Sequence, residues 1–266
     1  VANLATLVRV GASEATALIT ALLFAVVPIH TEAVTSLVGR AELLAALGTT
    51  AAVFTWIGPP ARGERPSWNR AAGAAGWAAM AIFSKESGVA APLLVLVAEA
   101  ARGMPLRRIT AMSLRWAVLL VPLAIYFACR WGVYGSPVWK PVPDVLDNPL
   151  VTASGTERLC AAPVLLWHYV RLTFVPLELS ADYSRNALPA VPAPPGPLLG
   201  ALALVVLWAG AVTALPAHRR ALVLGALAFL LSVALLVNWP VLSTVMFAER
   251  LFHFAALFVL LPVGAA

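Results

Sequence analysis

The sequence predicts an all-α polytopic membrane protein, a bundle of about eight transmembrane helices with one further helix that is interfacial or re-entrant. Three observations carry this. Mean hydropathy is +0.89 and only 11% of the 266 residues are charged, against about one-quarter in an ordinary soluble domain. Apolar stretches recur along the whole length, at 14–29, 41–57, 71–84, 88–101, 115–131, 160–176, 197–216, 221–238 and 250–266. The connecting loops divide into an arginine-rich set and an acidic set.

Val1 to Val8 reads as the tail of an apolar span and Ala266 falls inside another, so 1–266 is expected to be one transmembrane domain from a longer protein. Several stretches are shorter than the ~20 residues that cross a bilayer. Their ends must therefore extend into flanking residues. Internal Pro and Gly are tolerable where neighbouring helices re-satisfy the freed backbone groups. Loop 58–70 carries Arg62, Arg65 and Arg70; loop 102–115 carries Arg102, Arg107, Arg108 and Arg115; Arg219 and Arg220 follow Pro216. With Arg9 these are ten of the 18 Lys and Arg, and the positive-inside bias places them in the cytoplasm. The opposite side then holds Glu32, Glu42, Glu86, Asp144, Asp147, Glu157, Glu178, Asp182 and Glu249, nine of the 12 acids, leaving Glu14, Glu64 and Glu99.

Parity constrains 160–176. Span 115–131 ends outside and span 197–216 must begin outside, so this segment is expected not to cross. Its Trp167, His168, Tyr169 and Arg171 suit an interfacial or re-entrant helix. The competing reading is a true span, which would put the acids that follow it in the cytoplasm. The net charge of +6 would suggest nucleic acid in a soluble chain; here cytoplasmic retention of the loops explains it, and no nucleic-acid partner is expected. Cys129 and Cys160 do not define a disulfide framework.

Four outer segments carry chemistry. In the first, a helix stops near Pro28 and presents His30 and Glu32, and the next helix starts around Arg40. A carboxylate there can act as or orient a general base, and a guanidinium can hold phosphate; simple capping, with Arg40 pairing to Glu42, is the alternative. In the second, the hairpin 84–88, Lys85 can meet a phosphate as a point charge or sit in a solvated turn beside Glu86. The third is loop 132–159 with the turn Asp147-Asn148-Pro149, followed after 160–176 by Asp182 and by a stiff proline-rich connector from Pro189 to Pro197. The fourth is Glu249-Arg250 with His253 one turn later: either an N-terminal charge with an interfacial anchor, or an inward carboxylate–guanidinium pair able to grip a phosphosugar. There is no Walker-type loop, no Cys or His cluster at metal spacing and no G-x-S-x-G, so ATP hydrolysis, a metal and a serine nucleophile are not indicated.

In their order along the chain these segments resemble the transmembrane and tetratricopeptide-repeat O-mannosyltransferase family. The resemblance rests on Pro28-Ile29-His30-Thr31-Glu32-Ala33-Val34, Val38-Gly39-Arg40-Ala41-Glu42-Leu43-Leu44, Lys85-Glu86-Ser87-Gly88, Asp147-Asn148-Pro149, Asp182-Tyr183-Ser184 and Ala248-Glu249-Arg250. The chain departs from the family pattern at Val27, where a first His is expected, at Glu42 for Asp and at Tyr183 for Trp.

The resemblance implies a GT-C glycosyltransferase that moves a sugar, expected to be mannose, from a polyprenyl- or dolichyl-phosphate donor to a protein Ser or Thr hydroxyl on the outer or lumenal side. It implies membrane lipid, the lipid-phosphate sugar and a protein acceptor as partners, with no cofactor beyond the donor. The membrane would be that of the endoplasmic reticulum in a eukaryote and the inner or plasma membrane in a bacterium. Arg40, Lys85 and Arg250 are then the candidates for the donor phosphate. Glu32 and Glu249 are the acid or orienting candidates, with His30 and Asp182 behind them. The family's catalytic Asp would lie upstream of Val1, so this chain alone is expected to lack the base. Two rivals stay open: a GT-C enzyme acting on an envelope lipid or glycan, and a non-enzymatic lipid or solute transporter, which would place ionisable groups near mid-membrane.

Overall fold

The computed structural model of the chain describes residues 2–58, 66–101, 113–136, 144–183, 187–188, 194–234, 236–239 and 242–266. All the regular structure in them is helical: α1 (Ala2–Arg9), α2 (Glu14–Val26), a 3-10 turn (Pro28–His30), α3 (Thr31–Thr35), α4 (Gly39–Ile57), α5 (Trp68–Ser84), a 3-10 turn (Glu86–Ala90), α6 (Ala91–Ala101), α7 (Ser113–Tyr134), a 3-10 turn (Pro149–Thr152), α8 (Gly155–Phe174), α9 (Pro195–Ala214), a 3-10 turn (Pro216–His218), α10 (Arg219–Val233), a 3-10 turn (Glu249–Phe252) and α11 (His253–Ala265). Each apolar stretch of the sequence thus becomes a helix. The starts carry expected signals. Ser13 and Ser67 cap α2 and α5 by accepting backbone N–H bonds from Thr16 and Arg70. Ser154 and Glu157 form a reciprocal capping box on α8, and Pro195 opens α9 where its missing N–H costs nothing.

Three helices are long and apolar enough to cross a membrane by themselves: Leu114–Tyr134, Pro195–Ala214 and Pro216–Val233. Glu14–Val26 and Pro28–Thr35, bent by 57° at Val27, together make a possible fourth. Among the described residues the other helices do not pass by length and composition alone: α5 and α11 have 17 and 13 residues, and Arg40 and Glu42 dilute the 19-residue α4.

The helices pack into a bundle with two chemically distinct ends. Arg9 reaches the last turn of α4, donating to the Phe54 carbonyl at 2.8 Å with its guanidinium 3.4 Å from the Phe54 ring centroid. Arg70 donates to the Thr55 carbonyl at 3.2 Å and also to that of Trp56. These cations satisfy carbonyls that a helix C-terminus leaves open and complement its dipole. Arg115 lies over the Trp68 ring at 4.8 Å. Arg219 and Arg220 begin α10 just before Ala221 and Leu222, which pack with Leu7 of α1. The described loop arginines therefore gather at one end; Arg62, Arg65, Arg102, Arg107 and Arg108 lie outside the described residues. Close packing between the ends relies on small residues: a Cβ on Gly48 of α4 would lie 2.8 Å from the Trp77 carbonyl of α5.

At the opposite end the two flanks of α8 return to the same stretch of chain. Before it, the Met246 N–H donates to the Asp147 carbonyl at 3.0 Å, and Asn148 donates to Asn238 Oδ1 at 2.8 Å and to the Ser243 carbonyl at 2.7 Å. After it, the Ser180 N–H donates to Glu249 at 2.8 Å. Met246 and Glu249 are three residues apart, so Asp147 and Ser180 are brought close together although α8, with 20 residues, is about 30 Å long. The residues that flank α8 on both sides are thus tied to one short stretch of chain, 246–249.

The Asn148–Asn238 knot fastens this end. Both side chains are fully buried. Asn238 takes a positive φ of 58°, a conformation that Asn tolerates, and donates to the Met246 carbonyl at 2.9 Å. Asn148→Ala would leave the Ser243 carbonyl and the Leu150 N–H without their partners. We expect it to cost about 2–4 kcal/mol, read as a lower unfolding midpoint in mixed micelles, whereas exposed Asp144→Ala should cost less than about 1 kcal/mol.

Candidate active site

Five elements meet at the end away from the arginine loops: the turn 28–30 with α3, the first turns of α4, the turn after α5, the strap 178–183 and the turn 249–252 leading into α11. Glu32 opens α3 and is held twice by Arg250. One carboxylate oxygen pairs with the guanidinium, and the other accepts the Arg250 backbone N–H at 2.9 Å. That N–H is one that a helix start leaves open, so Glu32 caps the turn leading into α11 as well as neutralising its arginine. The partners are 218 residues apart in sequence.

Beside this pair, His30 and His253 meet Nδ1 to Nδ1 at 3.0 Å. Phe24 packs on both, at 4.4 and 5.1 Å between ring centroids. On the α4 side Glu42 is buried and pairs with Lys85 at 3.1 Å, while Ser87 donates to its other oxygen at 3.4 Å. The field of Arg250 also reaches Glu42. Next to Glu42 lies a small cavity of about 20 Å³, room for about one water, lined by Glu42, Thr49 and Ser87 on its polar side and by Leu236, Leu251 and Phe254 on its apolar side.

The third carboxylate, Glu249, is only 2% exposed. Its partners are neutral donors: the Ser180 N–H and the Tyr183 hydroxyl, which reaches the same oxygen. Burial pushes its carboxyl above the usual range, and the Glu32 charge adds to that; the two hydrogen bonds oppose the shift. Burial also raises the Tyr183 phenol. Behind the turn, Tyr169 of α8 is stacked between Phe247 at 4.0 Å and Phe252 at 4.8 Å, and its hydroxyl accepts the Ala248 N–H at 3.4 Å. The aromatic stack thereby sets the height of the Glu249–Arg250 turn.

Of the residues singled out from the sequence, Glu32, His30, Glu249, Arg250 and Lys85 come together here. Arg40 does not join them: its side chain is exposed, and it is two positions, about 200° around the helix, from inward-facing Glu42. Asp182 is exposed on the strap, where its backbone N–H is held by Ser180 Oγ at 3.3 Å; its neighbour Tyr183 is the residue that touches Glu249. Sequence reading passed over Glu42, Tyr169, Tyr183 and His253 as site residues. Glu42 had a signal, since Glu42, Ala45 and Thr49 repeat at helical spacing along one face of α4. The two tyrosines had none without the fold. Among the described residues no group of three or more His, Cys, Asp or Glu is placed to hold a metal.

Chemically the cluster offers two cations, each engaged by a carboxylate, beside a cavity, together with a buried carboxylate among neutral donors. Such a site can take up an anion by exchange against Glu32 or Glu42, and can hold a hydroxyl near a carboxylate.

The chain is 28% identical over 204 residues to protein O-mannosyl-transferase TMTC3 of Mus musculus, covering 69% of this chain and 22% of that protein. It is 30% identical over 193 residues to TMTC3 of Homo sapiens, covering 65% and 21%. Against protein O-mannosyl-transferase Tmtc2 of Drosophila melanogaster it is 29% identical over 180 residues, covering 64% and 18%. The chain thus spans about a fifth of the length of the curated relatives it matches. No family model and no solved structure matches it.

Two outcomes follow from the geometry. A double-mutant cycle of Glu32→Gln and Arg250→Gln, read by unfolding in mixed micelles, should give a coupling of about 1–3 kcal/mol; independent surface caps would give none. Because the Tyr183 bond favours ionised Glu249, Tyr183→Phe should raise the Glu249 carboxyl further, so its protonated infrared band should persist to higher pH than in wild type. Glu249→Gln assigns that band.

Proposed function

We propose that this chain, similar over about two thirds of its length to protein O-mannosyl-transferases, is the membrane core of such an enzyme. It would move mannose from a polyprenyl- or dolichyl-phosphate donor to a Ser or Thr hydroxyl of a protein on the outer or lumenal side of the membrane. The observation that carries the proposal is the Glu32–Arg250 pair. It joins the two most distant blocks of the family resemblance at the end of the bundle opposite the loop arginines.

In this reading the donor's phosphodiester exchanges for carboxylate at Arg250 and Lys85. The cations then neutralise the charge that develops on the phosphate as the anomeric C–O bond breaks, which stabilises the transition state more than the bound donor. Glu32, released from Arg250, stands beside the phosphate and orients the acceptor hydroxyl or the group that deprotonates it. Glu249, held by Tyr183 and Ser180, fixes the strap that closes over the site. A direct displacement at the anomeric carbon inverts its configuration.

The test is mannosyl transfer by the full-length enzyme in membranes, from a mannosyl-phosphoryl-polyprenol to an acceptor peptide. Arg250→Ala and Lys85→Ala should each lower kcat/KM for the donor about ten- to a hundredfold, the worth of a charge-assisted contact. Arg40→Ala should cost less than either. Glu32→Gln should lower kcat more than it raises the donor KM. Wild-type donor use by both the Arg250 and Lys85 variants would overturn the assignment.

A further inference from the structure

His30 and His253 lie 223 residues apart in sequence and meet through their Nδ1 atoms at 3.0 Å, with ring centroids 4.4 Å apart. The contact sits between the two strands of chain that also carry the Glu32–Arg250 pair: His30 is two residues before Glu32, and His253 is three residues after Arg250. Only one kind of bond is possible there. One imidazole must donate its Nδ1–H and the other must present a lone pair, so at least one ring must be neutral at Nδ1. A pair protonated on both rings places two N–H groups face to face and has no bond.

We propose that His253 is a positioning residue for transfer: its bond to His30 holds turn 28–30 against turn 249–252, keeps Glu32 in register with Arg250, and fails when both imidazoles are protonated. The proposal rests on the reaction proposed above for its activity readout, but not for its structural one.

The surroundings favour one proton between the rings over two. α2 contributes the apolar ring of Phe24 and also its backbone carbonyl, which favours a proton on His30 but is outweighed by burial and by the facing His253. The ionisable groups of the adjoining elements are committed elsewhere: Glu32 of α3 to Arg250, Glu42 of α4 to Lys85, and Glu249 to Tyr183 and Ser180. Tyr169 of α8 is occupied with Ala248. Among the described residues the carboxylates of the adjoining elements are thus engaged by other groups, and each ring would face the other's charge if both were protonated. The sign follows from counting protons. The bonded pair holds one proton fewer than two imidazoles in the unfolded chain below about pH 6, so stability rises with pH across that range. Loss of the bond also frees the turn that carries Glu32, and transfer falls with it.

The test compares wild type, His253→Leu and His253→Asn in the full-length enzyme. Asn places an amide near the Nδ1 position and cannot take up a proton in this range. Transfer from mannosyl-phosphoryl-polyprenol is measured between pH 5 and 8, as is the midpoint of thermal unfolding. At about pH 7.5 His253→Leu should lose about tenfold in kcat with the donor KM changed less than about twofold, whereas His253→Asn should stay within about threefold of wild type. On going to about pH 5.5 wild type should lose unfolding midpoint and His253→Asn markedly less of it, while transfer by both changes little, because the folded pair still shares a single proton there. Wild-type kcat in His253→Leu, or an acid loss of unfolding midpoint as large in His253→Asn as in wild type, would overturn the proposal. A wild type that transfers no mannose but still shows the pH-dependent gap in unfolding midpoint would overturn the reaction assigned above and support the imidazole bond.

Discussion

A charge inside an apolar helix bundle must find its counter-charge, and in this chain that requirement joins the two ends of the sequence. Glu32 and Arg250 are both part-buried, and removing either partner would leave the other without its counter-charge. Their bond fixes how the α2–α3 bend docks on the turn before α11. Once those segments are docked, the rest of that end follows. His253 meets His30, Tyr169 stacks under the turn, Glu249 is carried to Tyr183, and α4 presents Glu42 beside them.

The two ends of the bundle use charge in opposite ways. At the arginine end, Arg9 and Arg70 close the last carbonyls of α4 and Arg115 covers an exposed tryptophan. These contacts finish helices and need no ligand. At the other end, carboxylates and cations pair with one another around a cavity, an arrangement that costs desolvation and adds little to stability when compared with hydrophobic packing. In the proposed function such a cluster serves by exchanging a carboxylate for the donor phosphate.

Much of this was legible in the sequence, for identifiable reasons. Apolar runs bounded by Ser, Pro and charged residues located the helices, because burial and capping act over a few residues at a time. The segregation of arginine from acid anticipated that a cluster of paired charges would form away from the loop arginines. The span count was less legible: among the described residues length and composition alone single out three helices, and a run such as 71–84 gives an α5 of only 17 residues. The contents of the site divided along similar lines. Glu32, Lys85 and Arg250 stand at helix ends and could be suspected. Arg40 shared that position, but its direction depends on the phase of α4, which turns Glu42 inward in its place. Tyr169 and Tyr183 depend on long-range docking of α8 and the strap, for which no local pattern exists. Asn148, read as an ordinary turn residue, is bound to Asn238 ninety residues later, and only the tertiary structure supplies that partner.

The central claim is that a lipid-linked sugar phosphate binds where Glu32, Lys85 and Arg250 meet. The most direct measurement is photo-crosslinking of the full-length enzyme in membranes with a polyprenyl-phosphate mannose whose lipid carries a diazirine next to the phosphate. Labelled peptides would be mapped by mass spectrometry, with and without excess unmodified donor. The account predicts adducts on 28–32, 85–90 and 249–253 that disappear under competition. Labelling confined to the arginine end, or labelling of these segments that excess donor does not reduce, would contradict it.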